Sequence, residues 1–454
     1  MLLEKRCGTV KYKPSTYNIV VDEFADGKKL MYNSFSGVFS VMDLYGLQFL
    51  EDVKNMFHID DANLAGLMLK AGYIVDIDKD ELTTLKIERA KKRFECHNLT
   101  LIIAPTLDCN MNCHYCYENK QNVYMDEKTQ QQILLFVKAQ IKLFPDATSL
   151  NVMWYGGEPL LHQEAIFSLS AGLKKICEAN DGKSIAYSAV MISNGVLLDE
   201  GTAKRLALEC DIHSAQLTID GTEETHNSRR VMSDGTGSFI EIVKNCEAAA
   251  KHMYVQVRVN VDKKNQNNVE KLSDYFFKER KWNKNPLFHL APVRDINNDC
   301  ILEKSDCLDG EEFALLDMKH IRKCYEVNRE AVVGMFFPKR MYVFCASERV
   351  GTFTIGPNGN IFACSAQIGR ENGITGHIAK PYVVTEKYCR WLLGDIEKKC
   401  EACTYLPLCM GGCGIHRIGN NEEPQCFRTF YIYKDILKLA YEDYCRQKSW
   451  EPKT

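Results

Sequence analysis

The residues of this chain best placed to do chemistry are cysteines, and they come in two spaced sets. The first is Cys109-Asn110-Met111-Asn112-Cys113-His114-Tyr115-Cys116, three thiols within eight residues. Three thiolates so spaced can hold three irons of a [4Fe–4S] cube. No fourth cysteine lies nearby, so one iron is left without a protein ligand. A fully ligated cube transfers electrons, whereas an open iron can bind and activate a small molecule. Zinc is the competing reading, but it takes four protein ligands and His114 sits awkwardly between the thiols.

The second set lies in the carboxyl third: Cys345, thirteen residues to Gly359, four more to Cys364, then Cys400-x2-Cys403-x5-Cys409-x3-Cys413, and finally Cys426. Alone, the run from Cys400 to Cys413 also reads as a zinc ribbon. Cys177, Cys210 and Cys246 fall on apolar helical faces and are expected in the core. Cys7 and Cys96 carry no message. Cys300, Cys307, Cys324, Cys389 and Cys445 are read as buried small hydrophobes, although each could give a hydrogen atom to a substrate radical.

These sets must be held by ordered elements. At 454 residues the chain exceeds one ordinary core, which implies two or three domains. Hydrophobic and charged fractions of 45% and 26% are those of a globular protein, and a net charge of −3 gives no reason to expect nucleic acid. No apolar run is long enough to span a bilayer. The start, Met1-Leu2-Leu3-Glu4-Lys5-Arg6, lacks the zones of a signal peptide, so a cytoplasmic location is expected. Among reduced thiols, the 20 cysteines then read as metal or cluster ligands rather than disulfides.

Residues 1–95 read as a separate unit of short strands near Tyr17, Leu30 and Gly37–Val41, two helices from Asp43 to Asn55 and from Asp60 to Lys70, the second stopped by Gly72, and a charged helix from Asp80 to Phe94. That order suggests a winged-helix-like module; a purely structural cap fits the pattern equally. Residues 96–335 alternate six apolar strands (Leu99–Ala104, Leu150–Tyr155, Ile185–Ser193, Ala215–Asp220, Tyr254–Val261 and Leu287–Ala291) with amphipathic stretches such as Glu127–Leu143. Such alternation implies an α/β fold with a parallel sheet, and six units imply a partial (β/α)6 barrel. In 336–454 regular periodicity fades and cysteine takes over, so metal centres are expected to supply stability. A last helix is expected from Phe427 to Arg446.

Barrels carry their chemistry at the carboxyl ends of strands. The first cysteine set follows strand one. Gly156-Gly157-Glu158-Pro159 follows strand two, where glycines let the backbone approach a ligand and a glutamate can accept bonds from an ammonium group. Ser193-Asn194-Gly195 ends strand three and Thr218-Ile219-Asp220-Gly221 ends strand four.

A CxxxCxxC loop after the first strand, followed by GGEP after the second, resembles the radical S-adenosylmethionine (SAM) enzymes. The resemblance implies that the open iron chelates the amino and carboxylate groups of the methionine moiety. One electron then splits the sulfonium and releases a 5′-deoxyadenosyl radical. It also implies that Tyr115 lies beside the adenine and that Gly156, Gly157, Glu158, Pro159, Ser193, Asn194 and Thr218 touch the cofactor. Arg258 would meet the methionine carboxylate or else be a solvated rim charge. His226, Arg229, Gly235 and Gly237 repeat a family pattern of structural character.

The second set resembles the SPASM extension of these enzymes, so the matching region runs over roughly residues 99–430. By carry-over, two auxiliary [4Fe–4S] clusters share it: Cys345, Cys364 and Cys413 hold one, and Cys400, Cys403, Cys409 and Cys426 hold the other, giving three clusters in all. The first auxiliary set is one thiolate short. Either Cys324 reaches back, or the iron is open to substrate or a non-cysteine ligand.

SPASM relatives mostly modify peptides or proteins, and the N-terminal module resembles the precursor-recognition element of maturases of ribosomally made peptides. The expected activity is therefore hydrogen abstraction from a peptide, leading to a thioether or carbon–carbon cross-link or to epimerisation. A leader peptide would add to the strand around Val38–Val41. A reductant such as flavodoxin or ferredoxin is expected to feed the cluster. The main alternative is an anaerobic sulfatase-maturing, formylglycine-generating enzyme; the missing ligand and the N-terminal module count against it. A non-enzymatic iron–sulfur electron carrier or zinc-stabilised peptide-binding protein would waste an open cube beside a GGEP turn. The sequence singles out no general base or hydrogen donor.

Overall fold

The computed structural model describes residues 12–55, 61–179, 184–294, 296, 304–380, 385–419, 426 and 428–449. Cys7, Cys300 and Phe427 lie outside them. The N-terminal unit contains strands β1 (Tyr12–Pro14), β2 (Asn18–Glu23), β3 (Lys29–Asn33), β4 (Phe39–Met42) and β5 (Ile74–Asp76). β1 pairs antiparallel with β5, and β2-β3-β4 form a separate antiparallel sheet with β4 at one edge.

Three helices complete this unit: α1 (Leu44–Lys54), α2 (Ala62–Ala71) and α3 (Glu81–Phe94). Each starts on an aspartate, Asp43, Asp61 or Asp80, whose carboxylate accepts a backbone N–H of the first turn. Gly72 ends α2 at φ +80°, the left-handed conformation that favours glycine.

Strands β6 (Asn98–Ile103), β7 (Ser149–Trp154), β8 (Ala186–Ile192), β9 (Ile212–Thr218), β10 (Tyr254–Val261) and β11 (Leu287–Pro292) pair in parallel in chain order. This is the partial barrel that the alternation implied. Helices α4 (Glu127–Leu143), α5 (Gln163–Glu178), α6 (Glu200–Cys210), α7 (Glu223–Arg229), α8 (Phe239–Ala249) and α9 (Val269–Asp274) lie between its strands, and α10 (Gly310–Val327) follows the last. Alternation shows best in β10, where Val255, Val257, Val259 and Val261 are all fully buried. Cys177, Cys210 and Cys246 are core residues.

The carboxyl third is more regular than its sequence suggests. Strands β12 (Thr352–Ile355), β13 (Asn360–Phe362) and β14 (Ile374–His377) prolong the barrel's sheet, because β12 pairs in parallel with β6. Strands of three or four residues are too short to show a period, which is why this part read as irregular. Gly359, at φ +79°, makes the turn from β12 to β13.

The final helix, Arg428–Ser449, packs Ile432, Ile436 and Leu439 on α10. Its Tyr433 and Leu437 meet Ile19, Val21, Leu30 and Tyr32 of the N-terminal sheet, together with Leu408. The N-terminal unit is thus seated on the carboxyl third. Tyr32 donates to the Pro338 carbonyl at 2.9 Å and Ser34 to the Thr404 carbonyl at 2.5 Å. Among the described residues no helix is long and apolar enough to cross a membrane. Replacing the fully buried Leu437 with alanine removes one side of this seam. Chemical denaturation should show a loss of about 2–5 kcal/mol, with the N-terminal unit becoming the first target in limited proteolysis.

Candidate active site

The cysteine loop leaves the carboxyl end of β6 and is pinned by its own backbone. Asn112 N–H donates to the Val231 carbonyl at 2.8 Å, and Cys116 N–H to the Cys113 carbonyl at 3.1 Å. Cys109, Cys113 and Cys116 are close enough for each charge to be felt by another: burial pushes the Cys109 thiol up to about 12, with Glu158 and Cys113 adding to it. Burial likewise pushes Cys116 up to about 12, with Glu118 and the other two thiols contributing. Thiols so displaced stay protonated until a metal takes the proton's place.

Gly156 and Gly157 bring the next loop against this one. A Cβ on Gly157 would lie 2.2 Å from the Asp108 carbonyl oxygen, and one on Gly156 would lie 2.5 Å from that of Thr106. The close approach is to the chain's own cysteine loop. Glu158 N–H donates to the Asp108 carbonyl at 2.8 Å and fixes the same contact.

Glu158 also turns towards the chain's own backbone. It is fully buried, and its carboxylate accepts from Leu160 N–H at 3.0 Å, Ser193 Oγ at 2.9 Å and Asn194 N–H at 2.7 Å. Burial raises its pKa while these three bonds oppose the rise. It works as a clamp between the ends of β7 and β8. Pro159 starts the short helical turn beyond it. Clamped in this way, Asn194 directs its amide at Asn110 Oδ1, 2.7 Å away, and towards Cys109 Sγ at 3.9 Å.

Tyr115 is buried, and its hydroxyl donates to the Asp220 carboxylate. That hydroxyl accepts from Arg230 Nη1 at 2.6 Å and Asn260 Nδ2 at 3.3 Å. Arg258 stands opposite Thr218 in the sheet register and donates from Nε to Asn260 Oδ1 at 2.7 Å. Thr218, Arg258 and Tyr115 are thus brought into one cluster. His226 accepts Asp220 N–H on Nδ1 and pairs with Ser238 through Nε2. Burial, then Arg230 and Arg229, hold its pKa well below the usual range, so it stays neutral.

Sequence reasoning missed Arg230, Asn260 and Glu118. Burial pushes the Glu118 carboxyl up to about 8, although Tyr155 hydrogen-bonds it and so opposes the rise. Tyr155 is joined to Tyr117 at 2.7 Å between hydroxyls. Arg230 follows Arg229 directly, and only their adjacency after His226 hinted that both face inward.

The second set of cysteines gathers in two groups. Cys345 and Cys364 both feel Cys413. Cys400, Cys403 and Cys409 all feel Cys426. Burial pushes Cys364 up to about 12 and Cys409 up to about 11. Cys324 does not reach back to the first group. It lies on α10 with its sulfur 3.3 Å from His320 Nε2, and the charges it feels are those of Asp317 and Lys323.

Among the described residues, no three His, Cys, Asp or Glu side chains converge as one metal ion would need. The neighbouring thiols supply the donor type that the irons of a cube take. Arg230 beside Cys113 fits too, since among the described residues its buried Nε has no partner and its charge suits a thiolate-bound cluster. Gly157→Ala should push the cysteine loop out of place and cost the reconstituted protein about four irons per chain, one cube's worth. Gly334→Ala, with nothing within 4 Å of the added carbon, should leave the iron content unchanged.

Residues 103–275 match the Radical SAM superfamily. A cysteine-type anaerobic sulfatase-maturating enzyme of Clostridium novyi is 23% identical over 76% of this chain and 97% of that protein. A serine-type enzyme of Klebsiella aerogenes is 20% identical over 75% of this chain and 85% of its own length. The structure of native anSMEcpe with bound AdoMet superposes at TM-score 0.60 with 19% identity, covering 76% of this chain and 100% of that one. SuiB of Streptococcus suis bound to precursor peptide SuiA superposes at 0.51 with 15% identity, covering 92% and 98%. At such identities the structural likeness is one of fold. The sequence match spans the barrel from the end of β6 to α9 and includes the cysteine loop, so this chain carries a Radical SAM superfamily domain, and enzymes of that superfamily pair a [4Fe–4S] cluster with SAM.

Proposed function

We propose that the chain is a peptide maturase that carries three [4Fe–4S] clusters and holds its precursor through the N-terminal unit. The observation that carries this reading is the open edge of β4. Val41 is 39% exposed there, and Leu44 and Tyr45, at the start of α1, are 61% and 62% exposed. An extended leader can add to such an edge through main-chain bonds while its side chains meet the apolar rim. SuiB, whose structure contains a precursor peptide, covers 92% of this chain, against 76% for anSMEcpe. The larger share supports a role for the N-terminal unit in recognition.

Cys109, Cys113 and Cys116 would hold the catalytic cluster. Cys345, Cys364 and Cys413 would hold one auxiliary cluster, and Cys400, Cys403, Cys409 and Cys426 the other. When bound, the first cluster and SAM supply a 5′-deoxyadenosyl radical able to take hydrogen from a peptide carbon. Within this reading, Glu158 keeps the loops after β7 and β8 in register, and Asn194 turns its amide to the cluster edge. Tyr115, Asp220, Asn260 and Arg258 line the cofactor's side. A flavodoxin or ferredoxin is the proposed reductant, and a cytoplasmic location keeps the thiols reduced.

Sulfatase maturation is the second reading, favoured by the curated relatives. Anaerobic co-expression with each short open reading frame beside the gene, with peptide masses taken in light and heavy water, separates the outcomes. Loss of a hydrogen pair per site means cross-linking; unchanged mass with deuterium gained at carbon means epimerisation. Conversion of a sulfatase active-site peptide, with no neighbouring peptide changed, establishes the second reading.

In the triple variant Cys109→Ala, Cys113→Ala, Cys116→Ala, chromatography should find no 5′-deoxyadenosine. Val41→Lys, which places a charge on the open edge, should weaken precursor binding about tenfold by fluorescence anisotropy.

A further inference from the structure

Between the two auxiliary thiol groups lies a buried charge cluster that no peptide or SAM chemistry explains. Glu348 is fully buried. Its Oε2 accepts from Arg89 Nη2 at 2.9 Å and Arg93 Nη2 at 2.5 Å, and its Oε1 from Arg417 Nη2 at 2.9 Å. The three arginine side chains are 4%, 6% and 1% exposed. Among the described residues, three guanidinium groups on one carboxylate leave two positive charges in excess. Carbonyls take some of the remaining N–H groups: Arg93 Nη1 reaches Gly394 at 2.7 Å and Arg417 Nη1 reaches Asp395 at 2.8 Å. Among the described residues the Nε of all three has no partner.

Buried charge of one sign is costly unless an opposite charge lies close. Burial, then Arg93, already pushes the Arg89 pKa down to about 10. The cluster stands where anions would be bound. Glu348 N–H donates to the Cys345 carbonyl at 3.2 Å, and Arg417 N–H to that of Cys413 at 3.5 Å. The Arg417 side chain runs past Gly411, between Cys409 and Cys413, where an added Cβ would lie 3.8 Å from its Cδ and Nε. Arg417 is also among the charges that favour the Cys400 thiolate. Arg417 thus touches both groups, through its backbone at Cys413 and through its side chain at Gly411 and Cys400.

We propose that Arg89, Arg93 and Arg417, gathered on Glu348, are the counter-charge of the two auxiliary clusters and set their reduction potentials. The inference rests on the reading that those thiols hold iron–sulfur cubes. A cube ligated by thiolates is a net anion, and reduction adds one more negative charge, so a fixed positive charge nearby favours the reduced form. The three arginines are positioning residues; they touch no substrate.

The test uses the full chain in the Cys109→Ala, Cys113→Ala, Cys116→Ala background, reconstituted anaerobically, so that only auxiliary clusters contribute. Iron is counted first, and midpoint potentials are then read by titration with electron paramagnetic resonance. Arg417→Gln should lower the potential, and Glu348→Gln should raise it. Each should change the reduced-to-oxidised ratio about tenfold at a fixed potential, which is about 59 mV for one electron. Arg417→Lys, which keeps the charge, should stay near the parent. A structural brace predicts something else: the two glutamine variants would both lose iron, or both shift the same way. That result, or unmoved potentials with about eight irons still bound, overturns the inference alone. A parent that binds no iron overturns the auxiliary-cluster reading and the inference with it.

Discussion

Everything in the active region hangs on how two loops meet at the carboxyl ends of β6 and β7. The Gly157 backbone lies so close to the Asp108 carbonyl that no side chain fits between them. Once that contact is made, Glu158 is carried into the interior. A buried carboxylate must find donors or lose its charge, and the donors it finds are on the end of β8, at Ser193 and Asn194. The clamp therefore spreads from one tight backbone contact to three consecutive strand ends. Asn194 then reaches the cysteine loop again through Asn110 and closes the circuit. Parallel strands in chain order make this possible, because they put successive loops side by side at one end.

The second half of that end is organised around the Tyr115 hydroxyl. Asp220, Arg230 and Asn260 converge on it from the ends of β9, α7 and β10. A phenol with a carboxylate on one side and a guanidinium on the other is fixed in direction, so the ring and the cysteines flanking it are fixed too. The neutral His226 beneath accepts from Asp220 N–H and keeps that strand end in place without adding charge.

How much of this was legible in the sequence follows from the range of each interaction. The six barrel strands could be read because their alternation is local and long enough to show, as in the four buried valines of β10. Caps and stops were equally local: Asp80 before α3 and Gly72 after α2 each act within three residues or so. The thiol groupings could be read by resemblance to a family, because the spacing that carries it lies in the sequence itself. What stayed hidden depends on partners far apart in the chain. Nothing local says that residues 193 and 194 will donate to the oxygens of Glu158. Arg230 and Asn260 gave no local sign, since Tyr115 lies 115 and 145 residues away from them. The short strands β12–β14 carry too few residues for a period, and their place is set by the open edge of β6.

The same long-range logic explains why the N-terminal unit and the carboxyl third are one assembly rather than two appendages. α3 is the strut between them. At its first turn Glu81 accepts from Ser15 Oγ at 2.6 Å and Thr16 N–H at 2.8 Å, fixing it to the strand that begins the unit. Five residues on, Lys86 pairs with Glu401 at 2.6 Å, beside Cys400. Beyond that, Arg89 and Arg93 enter the buried charge cluster on Glu348. The half-buried Lys86 pair, near the surface, is worth little by itself. The buried arginines are different, because a guanidinium withdrawn from its carboxylate in the interior would leave an unpaired charge there. The helix therefore cannot shift along its axis without disturbing the cysteine third. A peptide held on the β4 edge, as proposed, would be referred, through one rigid helix and the seam at Tyr32 and Leu437, to the same frame that positions the second set of thiols.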